Sequence, residues 1–214
     1  MIVLKYVKTD SACFISHIDL LRHVSRILRR ADISVNYSQG FNPHALVFFS
    51  SPLGVGVSSC CEYLAIDTNM NGDEVLERFN ASVPATLRAS EVFTCPKNPN
   101  LQGKTVCADY VFDTPYKDVD LSRGFEISYE KKGKTFIEDV SDKIYSVFDE
   151  GGKLGVRLAL GNVNLRPDRI LKKLNEMLST NLSVTDIRKV RQFVEVDGKP
   201  VNADDYLKSD NAVR

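Results

Sequence analysis

Histidine is scarce in this sequence, and the paired spacings that hold metals are missing. Its 214 residues contain three histidines, His17, His23 and His44, so an imidazole proton carrier working near neutral pH must come from the first 45 positions. His17 and His23 are six residues apart, which turns them to different faces of a helix, and no His-x-x-x-His pair exists. No metal and no cofactor are expected. The five cysteines (Cys13, Cys60, Cys61, Cys95, Cys107) are odd in number and include no Cys-x-x-Cys, which argues against a zinc ribbon or a redox motif. Reduced, mostly packed thiols remain. The Cys-x-x-x-Cys-x-x-Cys spacing that would hold an iron–sulfur cluster is absent as well.

Long apolar runs are also lacking. The longest uncharged apolar stretch, residues 45–57, is interrupted by Pro52, Gly54 and Gly56 and is too short to cross a bilayer. Lys5, Lys8 and Asp10 break up the opening, where a signal peptide would place its apolar segment. A cytoplasmic protein without membrane contact is expected. The glycine-bearing stretches 52–57 and 151–155 fit neither Gly-x-x-x-x-Gly-Lys-Ser/Thr nor a strand-borne Gly-x-Gly-x-x-Gly, so nucleotide cradling is not indicated. No RNP-type aromatic signature occurs, which excludes a conventional RNA-recognition motif.

What is present suits a globular chain: 43% of residues are hydrophobic and 26% charged, enough for one generous core or two small ones. The net charge is zero, but residues 1–60 hold six Lys and Arg against three Asp, and the rest carries the compensating negative excess. Four of those six bases, Arg22, Arg26, Arg29 and Arg30, fall within nine residues.

Patterning predicts a strand over 2–7, then a helix capped by Ser16 with Asp19 three residues on. Leu20, Leu21, Val24, Ile27, Leu28 and Ala31 recur at helical spacing and leave the arginines on the other side. Strands are expected at 33–37, 46–49 and 61–67, a helix from Gly72 through Phe79, and a strand at 87–94. That β-α-β-β-α-β order is the ferredoxin-like split unit. Residues 96–104 read as a linker. Beyond it come strands near 105–113, 125–130, 134–139, 143–149 and 154–160, a helix opening at Arg166-Pro167, and a last strand near 185–195. The helix a second copy would need at 117–124 is weakened by Asp118, Asp120, Ser122 and Gly124. The expected fold class is α+β: two ferredoxin-like units in tandem, 1–95 and 105–214, the second degenerate.

The string Phe14-Ile15-Ser16-His17-Ile18-Asp19-Leu20, the four arginines, Tyr37-Ser38-Gln39-Gly40-Phe41-Asn42-Pro43-His44, Pro52-Leu53-Gly54-Val55-Gly56 and Glu62-Tyr63 together resemble the radical SAM-linked protein family. This is a bacterial domain of unknown function found alone or fused behind a radical SAM protein. The resemblance is specific over about residues 1–67. Leu165-Arg166-Pro167 echoes it later. Ala45 stands where the family has a second proline, and an Asp-Leu-Arg-Pro-like signature is reduced here to Val140-Ser141-Asp142-Lys143. The resemblance implies a radical SAM protein as partner and a connection with RNA, without supplying a reaction.

Each candidate has two readings. His17, at a helix start, is either a packed, hydrogen-bonded ring or a neutral base whose proton affinity the helix terminus lowers. Gly40, Asn42 and Pro43 preset the backbone before His44, as a contact site and a well-made turn both require. Arg22, Arg26, Arg29 and Arg30 could meet phosphates, with Tyr37, Ser38, Phe41, Asn42 and His44 taking a base or a partner; alternatively they form a solvated face. The expected function is an RNA-directed accessory protein acting with a radical SAM enzyme. The rivals are a metal-independent RNA-processing or RNA-modifying enzyme using His17 and His44, and a protein-binding adaptor without nucleic acid.

Overall fold

The computed structural model describes residues 1–121, 123–131 and 133–209. Ile2–Lys8 forms β1, whose residues are buried or half-buried throughout, as befits an inner strand. Ser16 then caps α1 (His17–Arg30). Its hydroxyl accepts from the Asp19 N–H at 3.2 Å and donates to the Asp19 carboxylate at 2.7 Å. The carboxylate thus bonds the capping hydroxyl, whereas a full capping box would have it reach the Ser16 backbone N–H. Leu20, Val24, Ile27 and Leu28 are the buried stripe of this helix.

The chain continues through β2 (Val47–Phe49), β3 (Ser58–Ile66), α2 (Gly72–Ser82, capped by Asn71) and β4 (Ala89–Thr94). Neighbours run β4-β1-β3-β2, every pair antiparallel. The strand expected at 33–37 does not form. Val47–Phe49 take the edge of β3, and the earlier segment bonds, through Asn36, to the residues flanking that pair: the Asn36 N–H donates to the Asp67 carbonyl at 2.8 Å, and its carbonyl accepts from the Leu46 N–H at 2.9 Å.

Residues 96–104 are only partly irregular. Asn100, in the left-handed region at φ 50°, caps one helical turn, α3 (Leu101–Lys104), which leads into β5 (Thr105–Pro115). Then follow β6 (Glu126–Lys131) and β7 (Lys134–Asp139), which pair with each other, and β8 (Ile144–Glu150) and β9 (Lys153–Ala159). The chain ends in α4 (Pro167–Leu178), β10 (Ile187–Val196), β11 (Lys199–Asn202) and α5 (Ala203–Lys208). Here the order is β10-β5-β9-β8, again antiparallel. The chain between β5 and β8 holds the β6–β7 hairpin; residues 116–121 and 123–124 contain no helix, and Ser122 lies outside the described residues. The last strand and helix, β11 and α5, were not expected, although Asp197-Gly198, both at positive φ, make the two-residue turn that pairs β10 with β11, and Asn202 caps α5.

The result is a mixed α+β protein built on one nine-stranded sheet. Apolar residues of α1 and α2 pack with Leu4, Tyr6, Leu64 and Ile66 in one core; α4 packs with β5 and β9 in another; Leu101, Tyr206 and Leu207 pack with Val3, Tyr63 and Phe93 in a third. Tyr63 Oη also donates to Asp204 at 2.8 Å, and Lys5 Nζ meets the same carboxylate at 2.6 Å, which fastens α5 to the sheet. The two antiparallel groups of strands meet where β3 and β10 run parallel, with only Arg188 opposite Ser58 and Lys189 opposite Ser59 in register.

Asp109 on β5 is fully buried between two guanidinium groups, Arg157 at 2.6 Å and Arg191 at 2.7 Å. Arg157 stacks on Phe193 at 4.0 Å, and Arg191 lies over Phe148 at 5.4 Å. Gly155 on β9 makes room for the Phe148 ring, which a Cβ there would overlap. Asp109→Ala should destabilise the fold by about 2–3 kcal/mol in chemical denaturation. That is less than the ~3–5 kcal/mol of a wholly buried pair, because both arginines reach water.

Candidate functional site

The residues singled out from the sequence lie on α1 and at the 38–44 loop, with His17 and His44 in different surroundings. Arg22, Arg26, Arg29 and Arg30 are all exposed on α1. Arg22 has a loose contact with Asp19 at 3.5 Å, and Arg30 donates to the Ser82 carbonyl at the end of α2 at 2.5 Å. Arg26 and Arg29 make no hydrogen bond or ion pair among the described residues.

The 38–44 loop is clamped at its neck. The Ser38 N–H donates to the His44 carbonyl at 2.9 Å, the His44 N–H donates to Ser38 Oγ at 3.1 Å, and Ser38 Oγ shares a 2.8 Å hydrogen bond with His44 Nδ1. An isolated bridge between Tyr37 and Ala45 closes the base. Gly40 takes φ 129°, open to glycine and strained for other residues, and beside it the Phe41 ring is wholly exposed. Asn42 and His44 are exposed too, and Tyr37 more than half so. One ring nitrogen of His44, Nδ1, therefore helps to hold the loop neck, while Phe41 is free to touch something else.

His17 sits elsewhere. It opens α1, half-buried, with its ring edge-on to Phe49 at 5.7 Å, and it lines a crevice between α1 and the sheet with Tyr6, Lys8, Ser50, Ser51 and Glu62. His44 is not part of that lining. The crevice holds about 10 Å³, close to the room one water needs.

Its walls are strongly ionic. Lys8, 1% exposed, and Glu62, 3% exposed, line it, and Lys189, also 1% exposed, pairs with Glu62. Lys189 Nζ lies 2.5 Å from Glu62 Oε1 and donates to Gln192 Oε1 at 3.1 Å. Lys8 Nζ donates to the Ile15 carbonyl at 2.8 Å. Glu62 Oε1, despite its ion contact, accepts no well-directed hydrogen bond. Burial lowers the proton affinity of Lys8, with Lys189 adding to the effect and Glu62 and Cys13 opposing it. For Lys189 burial works the same way but is outweighed, chiefly by the Glu62 carboxylate, so that its ammonium is held charged. Burial also lowers His17, helped by Lys8 and opposed by Glu62, and it raises Tyr6 with Glu62 acting in the same direction.

Sequence reasoning named His17 but missed Lys8, Glu62 and Lys189 as site residues. The signal was a charge inside a buried strand: Glu62 within Cys61-Glu62-Tyr63-Leu64-Ala65-Ile66, and Lys8 closing β1. A wider cleft of about 550 Å³, lined by Cys60, Arg188, Arg191, Lys153, Glu150 and Asp113, was missed as well. A hydrogen bond from Cys61, with the charge of Arg188, lowers the Cys60 thiol to about 6 against burial. Most of that cleft's charge is neutralised internally, Arg191 by Glu150 at 2.5 Å and Lys153 by Asp113 at 2.7 Å. Among the described residues no three His, Cys, Asp or Glu side chains gather as metal ligands.

Residues 1–150 match the family described as "Uncharacterized protein conserved in bacteria (DUF2344)". The chain belongs to this family. No curated protein matches it. The matched span takes in α1, the clamped loop and the crevice residues of this DUF2344 member, while Lys189, the partner of Glu62, lies beyond it on β10.

The proton affinity of His17 has a readable consequence. With its folded value below the ordinary 6.5, the unfolded chain binds the proton first, so stability falls as pH drops through and below 6.5. An NMR titration should give His17 a midpoint below 6.5, and His17→Gln should flatten the acid-side loss of stability.

Proposed function

We propose that this protein is an RNA-directed accessory module that works in the cytoplasm beside a radical SAM enzyme, which carries out the chemistry. The observation that carries the RNA reading is the pair Arg26 and Arg29: exposed guanidinium groups on one helix that no carboxylate of the described chain neutralises. Charges left unpaired on a folded surface are available to phosphates, and binding of that kind releases counterions. Phe41 adds a free aromatic face of the type on which an unpaired base stacks. The radical SAM partnership rests on the resemblance of residues 1–67.

The strand orders support a ferredoxin-like reading of both segments. In each, the four sheet strands lie fourth, first, third, second by chain order, with β6–β7 standing in the second where α1 stands in the first. Tandem units of this kind offer helix faces and loops for recognition, but the fold alone assigns no chemistry. The enzyme reading draws on His17 beside Lys8 and Glu62; His44, bonded to Ser38, brings no second group to that crevice.

Arg26→Glu combined with Arg29→Glu should weaken binding to single-stranded RNA, followed by fluorescence anisotropy. The dependence of log K on log salt should become shallower by about 0.7 for each phosphate that is no longer neutralised. Neither residue has a partner among the described residues, so thermal stability should stay near wild type. Equal binding by both proteins at low salt would overturn the reading.

A further inference from the structure

Among the described residues, the one buried side-chain nitrogen or oxygen without a well-directed hydrogen bond belongs to Glu62, on the crevice beneath His17. Glu62 Oε1 is shut away from bulk water, and its one close partner among the described residues, the Lys189 ammonium at 2.5 Å, makes no well-directed hydrogen bond to it. Lys8 has three N–H donors and, among the described residues, a single acceptor, the Ile15 carbonyl. Ser51 and the ring nitrogens of His17 make no hydrogen bond within the described chain. Buried polar groups whose hydrogen bonds are incomplete cost free energy, and natural structures normally complete them with water or a ligand.

The occupant these groups require is specific. It must donate to Glu62 and accept from Lys8 while being no larger than a water, since the space is about 10 Å³. A bare anionic oxygen suits Lys8 but offers no proton to Glu62 and meets its charge. An ammonium suits Glu62 but meets Lys8 and Lys189. A hydroxyl serves both, being donor and acceptor at once.

We propose that this crevice receives a hydroxyl group of the ligand, taking the place of a water, and, resting on the RNA reading above, that the hydroxyl is the 2′-OH of a ribose. The less buried members of the lining, His17, Phe49 and Leu53, are where the rest of the sugar would lie. The arginines of α1 would then supply affinity without regard to sugar type, and the crevice would distinguish RNA from DNA.

The test compares single strands of one sequence as RNA, as DNA and as 2′-O-methyl RNA, bound to the intact wild-type protein at fixed salt. RNA should bind about tenfold more tightly than the other two, the effect of one hydrogen bond to a charged group. The methyl derivative lacks the donor and exceeds the space. Glu62→Gln should close the gap between RNA and DNA while leaving the salt dependence unchanged; the wild-type comparison decides the matter even if that variant does not fold. Equal, salt-dependent binding of all three strands would overturn the crevice inference and leave the arginine reading standing. No binding of any strand at low salt would overturn both.

Discussion

Lys189 reaches from β10 to Glu62 on β3, and the rest of the architecture hangs on that buried ion pair. The two groups of antiparallel strands meet through only two registered residue pairs, so backbone hydrogen bonding contributes little at the join. Side chains do the joining: Lys189 with Glu62, Ser50 with Gln192 at 3.4 Å, and Ser58 with the Ile187 carbonyl. Burying an ammonium and a carboxylate is expensive, and apolar residues of like volume often hold a core equally well. What the pair adds is direction. Apolar packing would tolerate sliding along the two strands, whereas an ion pair with one short contact fixes a single register, a role buried polar groups have in other folds.

The same pair explains why the neighbouring crevice is polar. Tyr6, Lys8 and His17 all feel the Glu62 carboxylate, and Lys8 feels the ammonium of Lys189. A joint that needs one charge of each sign thus creates an ionic setting for whatever stands next to it. His17 enters it because Ser16 stops α1 at a defined point and the first helical residue then faces Phe49. Architecture and site share their chemistry here.

Much of the element order was legible because it is written in local periodicity. The three- and four-residue spacing from Leu20 to Ala31, the Ser16 cap and Pro167 at a helix start each act over a few residues, and each produced the element expected. Residues 33–37 misled because β propensity says nothing about which segment wins a limited sheet edge; Val47–Phe49 won it. The site was less legible. His17 and the arginines stand out by type, but Lys8, Glu62 and Lys189 come from three strands spread over more than 180 positions, and only the paired sheet brings them together. His44 illustrates the reverse: an unusual residue in a preset loop, with its ring turned to the upkeep of that loop.

Gly155 shows how far a missing atom can reach. Because β9 has no side chain at that point, Phe148 can lie against the strand; because the ring lies there, Arg191 has an aromatic surface beneath it and bridges Asp109 and Glu150. The arrangement is a hierarchy of supports in which vacancy carries ring, ring carries cation, and cation neutralises an otherwise stranded acid. A methyl group added at the bottom of such a stack would first push the Phe148 ring aside, and through that displacement it would be felt as electrostatics two strands away.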